Sequence, residues 1–298
     1  CQPLVAPGQS DLHVTDMTAT FAADLTLGAA QVELDRHGQW LPIDGDPSWP
    51  LGKLVECNST GPLRLGYGAW RDLLLGVQFR NGLGELVTAG GRTMKNVAGY
   101  DLTKFMVGQH GIFGSIVTLT TRTYRRPAAA LWVEFPPHVE EARSILQAQA
   151  RPQWALLSKE RLVCGYLGDA PFLEWVKANA AGHMTESSVD EDIRMRAESW
   201  RGNFRITLPP TKIADFVSQA NPVSWTADPA FGVILCRADL SEREKFFSAV
   251  SRVGGSATLC DDQGRLVAMI TDPSTRALLN RLKGAFDPDG TLAPLVLA

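Results

Sequence analysis

The sequence lacks several features that would assign it to a broad functional class. Its five cysteines show no CxxC spacing, which argues against a metal cluster or a disulfide framework and fits a reducing compartment. The net charge is −3 and no basic stripe occurs, so nucleic-acid binding is not expected. No apolar run approaches the roughly 18–20 residues that span a bilayer. No signal-peptide pattern opens the chain.

Histidine is also scarce and scattered. The five histidines lie far apart and form nothing like an HxHxG motif, so no metal site is predicted. Only His110 lies in a glycine-rich motif, where a partly buried histidine bonded to a carbonyl is favoured over a functional one. Neither a Ser-His-Asp arrangement nor a carboxylate pair stands out, and the sequence names no catalytic acid or base.

The chain does contain enough apolar residues to fill real cores. Its 298 residues, 45% of them hydrophobic, suit two domains or one large one. Pro127 and the three alanines after it mark the predicted boundary between domains 1–128 and 129–298. In the second domain, alternating strands and helices predict helices on one face of an antiparallel sheet. No internal repeat is visible. The chain begins at Cys1 rather than Met, which favours a missing start over a mature lipoprotein.

Local patterns predict individual elements. Strands are predicted over Leu73–Arg80 and over Ile112–Thr121, where β-branched residues are dense. Asp101 is a predicted N-cap of a short helix. Ser241 and Glu244 have the spacing of a capping box. Further helices are predicted over Ala29–His37, Val139–Ala150, Thr211–Ala220 and Pro273 to about Phe286.

Glycine is concentrated in residues 61–127. Gly66-Tyr67-Gly68 with the following Arg-Asp pair favours a structural turn on spacing alone. Gly90–Asp101 is a polar loop whose N–H groups and side-chain amides suit an anionic or polar ligand. The small residues of Gly108–Gly114 let either a flat ligand approach the backbone or two strands pack tightly. Neither stretch is a GxGxxG fingerprint in its strand–turn–helix context.

In order and spacing, these motifs resemble the FAD-binding fold of the vanillyl-alcohol oxidase and p-cresol methylhydroxylase (PCMH) superfamily. Within it, the E-subunit family of bacterial glycolate oxidase is the most similar. The motifs are GPLRLGYGAWRDLLLG, GGRTMKNVAGYDLTKFMVG and GIFGSIV. The resemblance is strong over Gly61–Pro127, fair over Thr15–Ile43 and weak over most of the second domain. It implies an α+β chain: a PCMH-type FAD-binding domain, incomplete at its N-terminal unit, followed by a ferredoxin-like α+β cap domain.

The resemblance also implies where FAD would lie. The pyrophosphate would lie near Asn58–Gly61, and the adenosine or ribityl part along Gly108–Ile116. The implied cofactor-binding residues are Leu51, Gly52, Asn58, Ser59, Thr60, Gly61, Tyr67, Gly68, Asn96, Tyr100, Gly108, Gly111, Phe113, Gly114 and Ile116.

The chain departs from the family pattern in three places. No RGGGTK-type phosphate loop precedes Thr15, so the first unit is missing and a sheet edge or groove is expected for a partner to cover. Ser48–Lys53 replaces a GATLGG-type loop, and Pro50 removes an N–H donor there. The family ending FDPxGxxNPG is FDPDGTLAPL here, with Ala293 for Asn and Leu295 for Gly.

Three interpretations of function follow as expectations. The resemblance implies an FAD-linked oxidoreductase subunit that acts on a small 2-hydroxyacid beside a larger glycolate oxidase flavin subunit and an iron–sulfur subunit. Flavin would carry the hydride chemistry. The departures favour an alternative, a flavin-free structural or assembly subunit of the same fold; an unrelated small-molecule binding module is the third and weakest interpretation. The resemblance implies a cytoplasmic location, with peripheral association with the inner membrane through partners as a further expectation.

Overall fold

The computed structural model describes residues 2–92, 101–138, 145–146, 150–260, 266–270 and 273–296. Contacts group the chain into two compact units. The first unit is Cys1–Thr60, Gly68–Arg126 and Asp272–Leu295, and the second is Gly61–Tyr67, Pro127–Thr271 and Val296–Ala298. These units differ from the predicted domains mainly because the last helix packs in the first unit and Gly61–Tyr67 packs in the second. The domain boundary at residue 128 stays a prediction.

The elements follow one another along the chain. The strands of the first unit are β1 (Ser10–His13), β2 (Thr18–Ala22), β3 (Gln39–Trp40), β4 (Leu74–Arg80), β5 (Leu86–Gly90), β6 (Ser115–Arg122) and β7 (Tyr124–Arg125). Those of the second are β8 (Ala129–Phe135), β9 (Trp154–Ser158), β10 (Leu162–Gly168), β11 (His183–Ser187), β12 (Phe204–Thr207), β13 (Ser224–Asp228), β14 (Val233–Arg237), β15 (Ser256–Cys260) and β16 (Leu266–Ile270). The helices are α1 (Leu27–Asp35), α2 (Leu51–Glu56), α3 (Arg64–Tyr67), α4 (Trp70–Leu73), α5 (Leu102–Phe105), α6 (Ala170–Asn179), α7 (Val189–Ser199), α8 (Ile213–Ala220), α9 (Arg243–Arg252) and α10 (Pro273–Phe286).

The first unit is built on a five-stranded antiparallel sheet in the order β1-β2-β6-β4-β5. Phe21 and Leu119 from this sheet pack with Leu34 of α1 and Leu54 of α2 in one apolar core. The two predicted strands are confirmed as β4 and β6. Strand β6 begins three residues later than predicted, because the side chain of Gln109 holds the preceding turn outside the sheet.

The second unit is built on a nine-stranded antiparallel sheet in the order β11-β8-β10-β9-β13-β14-β12-β15-β16. Strands β8 to β11 and strands β12 to β15 each show the 4-1-3-2 order of a ferredoxin-like motif, and the copies join through β9 and β13. The predicted ferredoxin-like α+β fold is confirmed, and the motif occurs twice. The sequence shows no repeat because such a topology requires only recurring apolar periodicity.

Helices cover both faces of this sheet. Val176 of α6, Phe216 of α8 and Phe246 of α9 share one core with strand residues on the first face. Successive side chains of a strand point to opposite faces, so Trp132 points away from this core, where its neighbours Leu131 and Val133 lie. Helix α7 packs on that second face, which differs from the prediction of helices on one face only.

A buried polar network joins α7 to the sheet. The Asp192 carboxylate accepts hydrogen bonds from the indole N–H of Trp132 (2.8 Å) and of Trp154 (3.0 Å) through one oxygen. Its other oxygen accepts from Nε of Arg196 at 2.9 Å. The Asp192 and Arg196 side chains are 0% and 1% exposed. The carboxylate is thus held by three N–H donors in the interior, as a buried charge requires.

The capping box lies at a different helix from the predicted one. Ser188 and Glu191 form both bonds of a capping box at the start of α7. The predicted box at Ser241 and Glu244 is wrong, because α9 has no side-chain cap and Ser241 instead bonds to Asp239. Asp239 therefore stabilises the short 3₁₀ turn Leu240–Glu242 that precedes α9.

Replacing Asp192 with alanine is predicted to lower the free energy of unfolding by about 3–5 kcal/mol, because Arg196 would stay buried without its carboxylate. Chemical denaturation measures the loss. Glu186→Ala is the control, since Glu186 pairs with Lys177 on the surface and such exposed pairs contribute little to stability. Equal losses in the two variants would contradict the prediction.

Candidate functional site

The C-terminal end of α2 is tied to the segment 108–116. The amide of Gly108 donates to the carbonyl of Val55 at 3.0 Å, and the amide of His110 to that of Glu56 at 2.8 Å. The Glu56 carboxylate accepts from the amide of Ile116 at 3.1 Å. The last carbonyls of a helix have no partner within it, so this segment completes the end of α2.

This junction brings two predicted site segments together. Asn58 follows α2 with φ +47°, and its side-chain oxygen accepts from the Thr60 hydroxyl at 2.9 Å. The Ser59 carbonyl accepts from the indole N–H of Trp70 at 3.0 Å. A Cβ placed on Gly108 would lie 3.2 Å from the Cβ of Asn58. The segment predicted near the pyrophosphate therefore lies beside the one predicted along the adenosine.

The segment 108–114 turns on itself around Gln109. The Gln109 side chain donates to the carbonyl of Gly114 and accepts from the amide of Phe113, both at 2.9 Å. The backbone has positive φ at Gly108 (+82°), His110 (+54°) and Gly111 (+75°). Two of these three positions are glycine, which adopts this conformation without strain.

The two interpretations left open for these glycines apply at different positions. A Cβ on Gly114 would lie 2.6 Å from the ring of Phe79 in β4, so Gly114 allows tight packing. A Cβ on Gly111 would meet only Ala293, at 3.4 Å. Gly111 thus leaves space at the backbone. Cofactor contacts of either glycine, and of Phe113 and Ile116, stay predictions.

The start of α2 offers little to a phosphate. The amide of Leu51 donates to the carbonyl of Leu25 at 2.9 Å, and the amide of Gly52 to that of Ala23 at 2.8 Å. A Cβ on Gly52 would lie 2.7 Å from the Cβ of Ala23, so the glycine is explained by helix packing. Because both amides are used within the chain, this segment does not fit a backbone phosphate cradle. Cofactor contacts of Leu51 and Gly52 stay predictions.

The other predicted site residues are Gly61, Tyr67, Gly68, Asn96 and Tyr100. Gly68 has φ +90°, and a Cβ there would lie 2.8 Å from Asp72. The Asp72 carboxylate accepts from the amide of Ala69 at 2.8 Å, so it caps α4 at the predicted turn. Gly61 and Tyr67 are counted with the second unit. Asn96 and Tyr100 lie outside the described residues.

Glu56 was not predicted from the sequence. Burial raises the pKa of its carboxyl above the ordinary 4.5, while the amide of Ile116 and the charge of Lys53 oppose the shift. The only sequence signal is its place at the end of α2, a helix that the sequence analysis did not predict.

The described part of the chain contains no cluster of metal ligands and no membrane-spanning helix. Within it, no three His, Cys, Asp or Glu side chains converge as a metal ion would require. None of its helices combines the length and the apolar character needed to cross a membrane.

The chain is similar to a curated glycolate oxidase subunit and to a curated D-lactate dehydrogenase. Over 144 residues it is 33% identical to the glycolate oxidase subunit GlcE of Escherichia coli K12. This match covers 46% of this chain and 41% of that protein. Over 116 residues it is 29% identical to the mitochondrial D-lactate dehydrogenase (cytochrome) of Arabidopsis thaliana, covering 39% of this chain and 20% of that protein. The matched parts are less than half the length of these relatives.

A solved structure of alkyldihydroxyacetonephosphate synthase shares the fold, with a TM-score of 0.64 over 94% of this chain and 65% of that one. The resemblance to FAD-linked oxidases is confirmed. At 14% sequence identity, the likeness to the synthase concerns the fold alone. No protein-family model matches the chain.

Replacing Gly114 with alanine is predicted to cost about 1–3 kcal/mol of unfolding free energy, because the added methyl group would collide with Phe79. Gly91→Ala is the matched control, since a Cβ there meets nothing within 4 Å, and its effect should stay within about 0.5 kcal/mol. Denaturant unfolding compares the two. A Gly114 variant as stable as the Gly91 variant would refute the tight-packing explanation.

Glu56→Gln is predicted to flatten the pH dependence of stability. The folded-state pKa of Glu56 lies above 4.5, so its stabilising contribution is fully present below pH 4.5 and is lost as the pH rises through the folded-state pKa. Glutamine keeps an acceptor for the amide of Ile116 but does not titrate. Unfolding free energies measured over a pH series should therefore fall less above pH 4.5 in the variant. Parallel curves for the two proteins would exclude this role of Glu56.

Proposed function

We propose that the chain is an FAD-binding subunit of an oxidoreductase of glycolate-oxidase type that acts on a small 2-hydroxyacid. Its similarity to a glycolate oxidase subunit and to a D-lactate dehydrogenase supports this proposal. The chain would work in the cytoplasm beside a larger flavin subunit and an iron–sulfur subunit. A membrane would be reached only through these partners.

One observation carries the proposal: the junction between the end of α2 and the segment 108–116. Asn58, whose side-chain oxygen accepts from the Thr60 hydroxyl, would offer a polar side chain to the cofactor, and Gly111 would let it approach the backbone. The carboxylate of Glu56 would keep the segment in place through the amide of Ile116. When bound, FAD supplies the hydride chemistry, and these residues bind and orient it.

A second candidate function has its own observation. The amides of Leu51 and Gly52 bond to carbonyls of the chain, and Pro50 beside them has no N–H. A flavin-free structural or assembly subunit would not need these donors. In an FAD-binding subunit, donors elsewhere would have to hold the pyrophosphate.

Absorption spectroscopy separates the two functions. The purified chain is incubated with FAD and passed through gel filtration, and we expect the oxidised-flavin bands to remain with the protein. We also expect ADP to compete with FAD, because the junction is the predicted site of the adenosine side. A colourless protein that takes up no added FAD would overturn the proposal and favour the flavin-free subunit.

Two glycine variants locate the binding site. Gly111 and Gly84 have nearly equal φ values (+75° and +76°), so valine imposes similar backbone strain at both; a Cβ at Gly84 meets nothing within 4 Å, and one at Gly111 meets only Ala293, at 3.4 Å. Gly111→Val should weaken FAD binding at least tenfold, because its side chain would occupy the space beside the segment. Gly84→Val lies in the β4–β5 turn and should bind FAD like the unmodified chain. Equal affinities in the two variants would place the cofactor elsewhere.

A further inference from the structure

We propose that Lys283 and Asp287 of α10 are positioning residues that hold the segment 108–116 in its cofactor-ready conformation. The inference rests on the proposed FAD binding for its functional meaning. Its geometric part, that this pair fixes the segment, is testable without the cofactor.

Lys283 connects three parts of the first unit. Its ammonium group donates to the carbonyl of Ile112 at 3.0 Å, to the carbonyl of Ala293 at 2.8 Å and to the Asp287 carboxylate at 2.6 Å. An ammonium group has three donors, so all three are used. The Lys283 side chain is 18% exposed and that of Asp287 is 0% exposed. Ile112 lies in the middle of the segment, directly after Gly111.

Asp287 fixes the chain that returns from α10. Its carboxylate accepts from the amide of Thr291 at 2.7 Å, from the Thr291 hydroxyl at 3.0 Å and from the amide of Leu292 at 3.1 Å. The bond from Lys283 and these backbone donors lower the pKa of Asp287 to about 2, against the effect of burial. The carboxylate therefore stays ionised and keeps its partner at any ordinary pH.

The returning chain then meets the segment directly. The amide of Ala293 donates to the carbonyl of Gly111 at 3.2 Å. Phe286 packs against Phe113 and Phe105, with ring centroids 5.8 Å and 5.3 Å apart. The segment is thus held by α2 on one side and by α10 with its following turn on the other.

This arrangement differs from an ordinary ion pair along a helix. A Lys–Asp pair four residues apart on an exposed helix contributes little to stability, and it needs no third partner. Here the lysine also bonds carbonyls of two other segments, one of them inside 108–116. Removing the Lys283 ammonium group should therefore loosen the segment 108–116 rather than α10 itself.

The test compares Lys283→Met with Lys283→Arg, which keeps the charge and the donors. Lys212→Met is the matched control, because Lys212 forms an exposed ion pair with Asp215 three residues along the chain. Hydrogen exchange of amides 109–116 is measured on the cofactor-free protein. The dissociation constant for FAD is measured by titration of flavin fluorescence.

We expect Lys283→Met to speed exchange of amides 109–116 and to raise the FAD dissociation constant, each at least tenfold. Lys283→Arg should restore most of the slow exchange and most of the FAD affinity. Lys212→Met should change neither the exchange rate nor the dissociation constant. Faster exchange confined to residues 286–295 with unchanged FAD affinity would overturn the inference, because the pair would then fix only the chain after α10. If Lys283→Met does not fold, Asp287→Asn carries the test, since it removes the charge and keeps the shape.

The two proposals can fail separately. If the unmodified chain binds no FAD, the proposed function fails, whereas faster exchange at 109–116 in Lys283→Met would still support the positioning of the segment. If the chain binds FAD and exchange at 109–116 is unchanged, the positioning inference fails and the proposed function stands.

Discussion

The first unit depends on how α2 ends. A helix leaves its last carbonyls without partners, and burying them unpaired costs free energy. Here the carbonyls of Val55 and Glu56 accept from Gly108 and His110, which come from more than fifty residues away in the sequence. These two hydrogen bonds complete the end of the helix and fix a distant turn, which leads into β6. The candidate site is the surface beside this junction.

The junction also explains why the segment 108–116 is rich in glycine. Its backbone must reach the end of α2, turn with positive φ and enter β6 within nine residues. Gly108 approaches Asn58, and Gly114 packs under the ring of Phe79, where a Cβ would collide. These glycines are therefore structural in the first place. Gly111 is the exception, since little lies next to it.

The sequence predicted elements whose signal is local, and it missed contacts between distant segments. Asp101 does cap α5, because its partner, the amide of Lys104, is only three residues away. The helix predicted from Pro273 to about Phe286 is also confirmed. By contrast, Lys283 looks like a solvated helix residue until the fold places the carbonyl of Ile112 beside it. The short helix α2 and the role of Glu56 were missed for the same reason.

Misplaced capping signals show the limit of local patterns. Ser241 and Glu244 have the spacing of a capping box, yet the hydroxyl and the amide of Ser241 both donate hydrogen bonds to the carboxylate of Asp239. A serine can form hydrogen bonds with several neighbouring groups, and the three-residue spacing does not determine which partner it bonds.

The same competition bears on function. The amides of Leu51 and Gly52 at the start of α2 are placed where phosphate donors would be, but they donate to carbonyls of the chain instead. Any anion held near Asn58 must therefore rely on other groups, and the spacing of glycines in that loop is a poor guide to them. The segment 108–116 is fixed by Glu56 on one side and by Lys283 on the other, so the chain maintains the shape of this part of the flavin-type fold with partly buried charged groups.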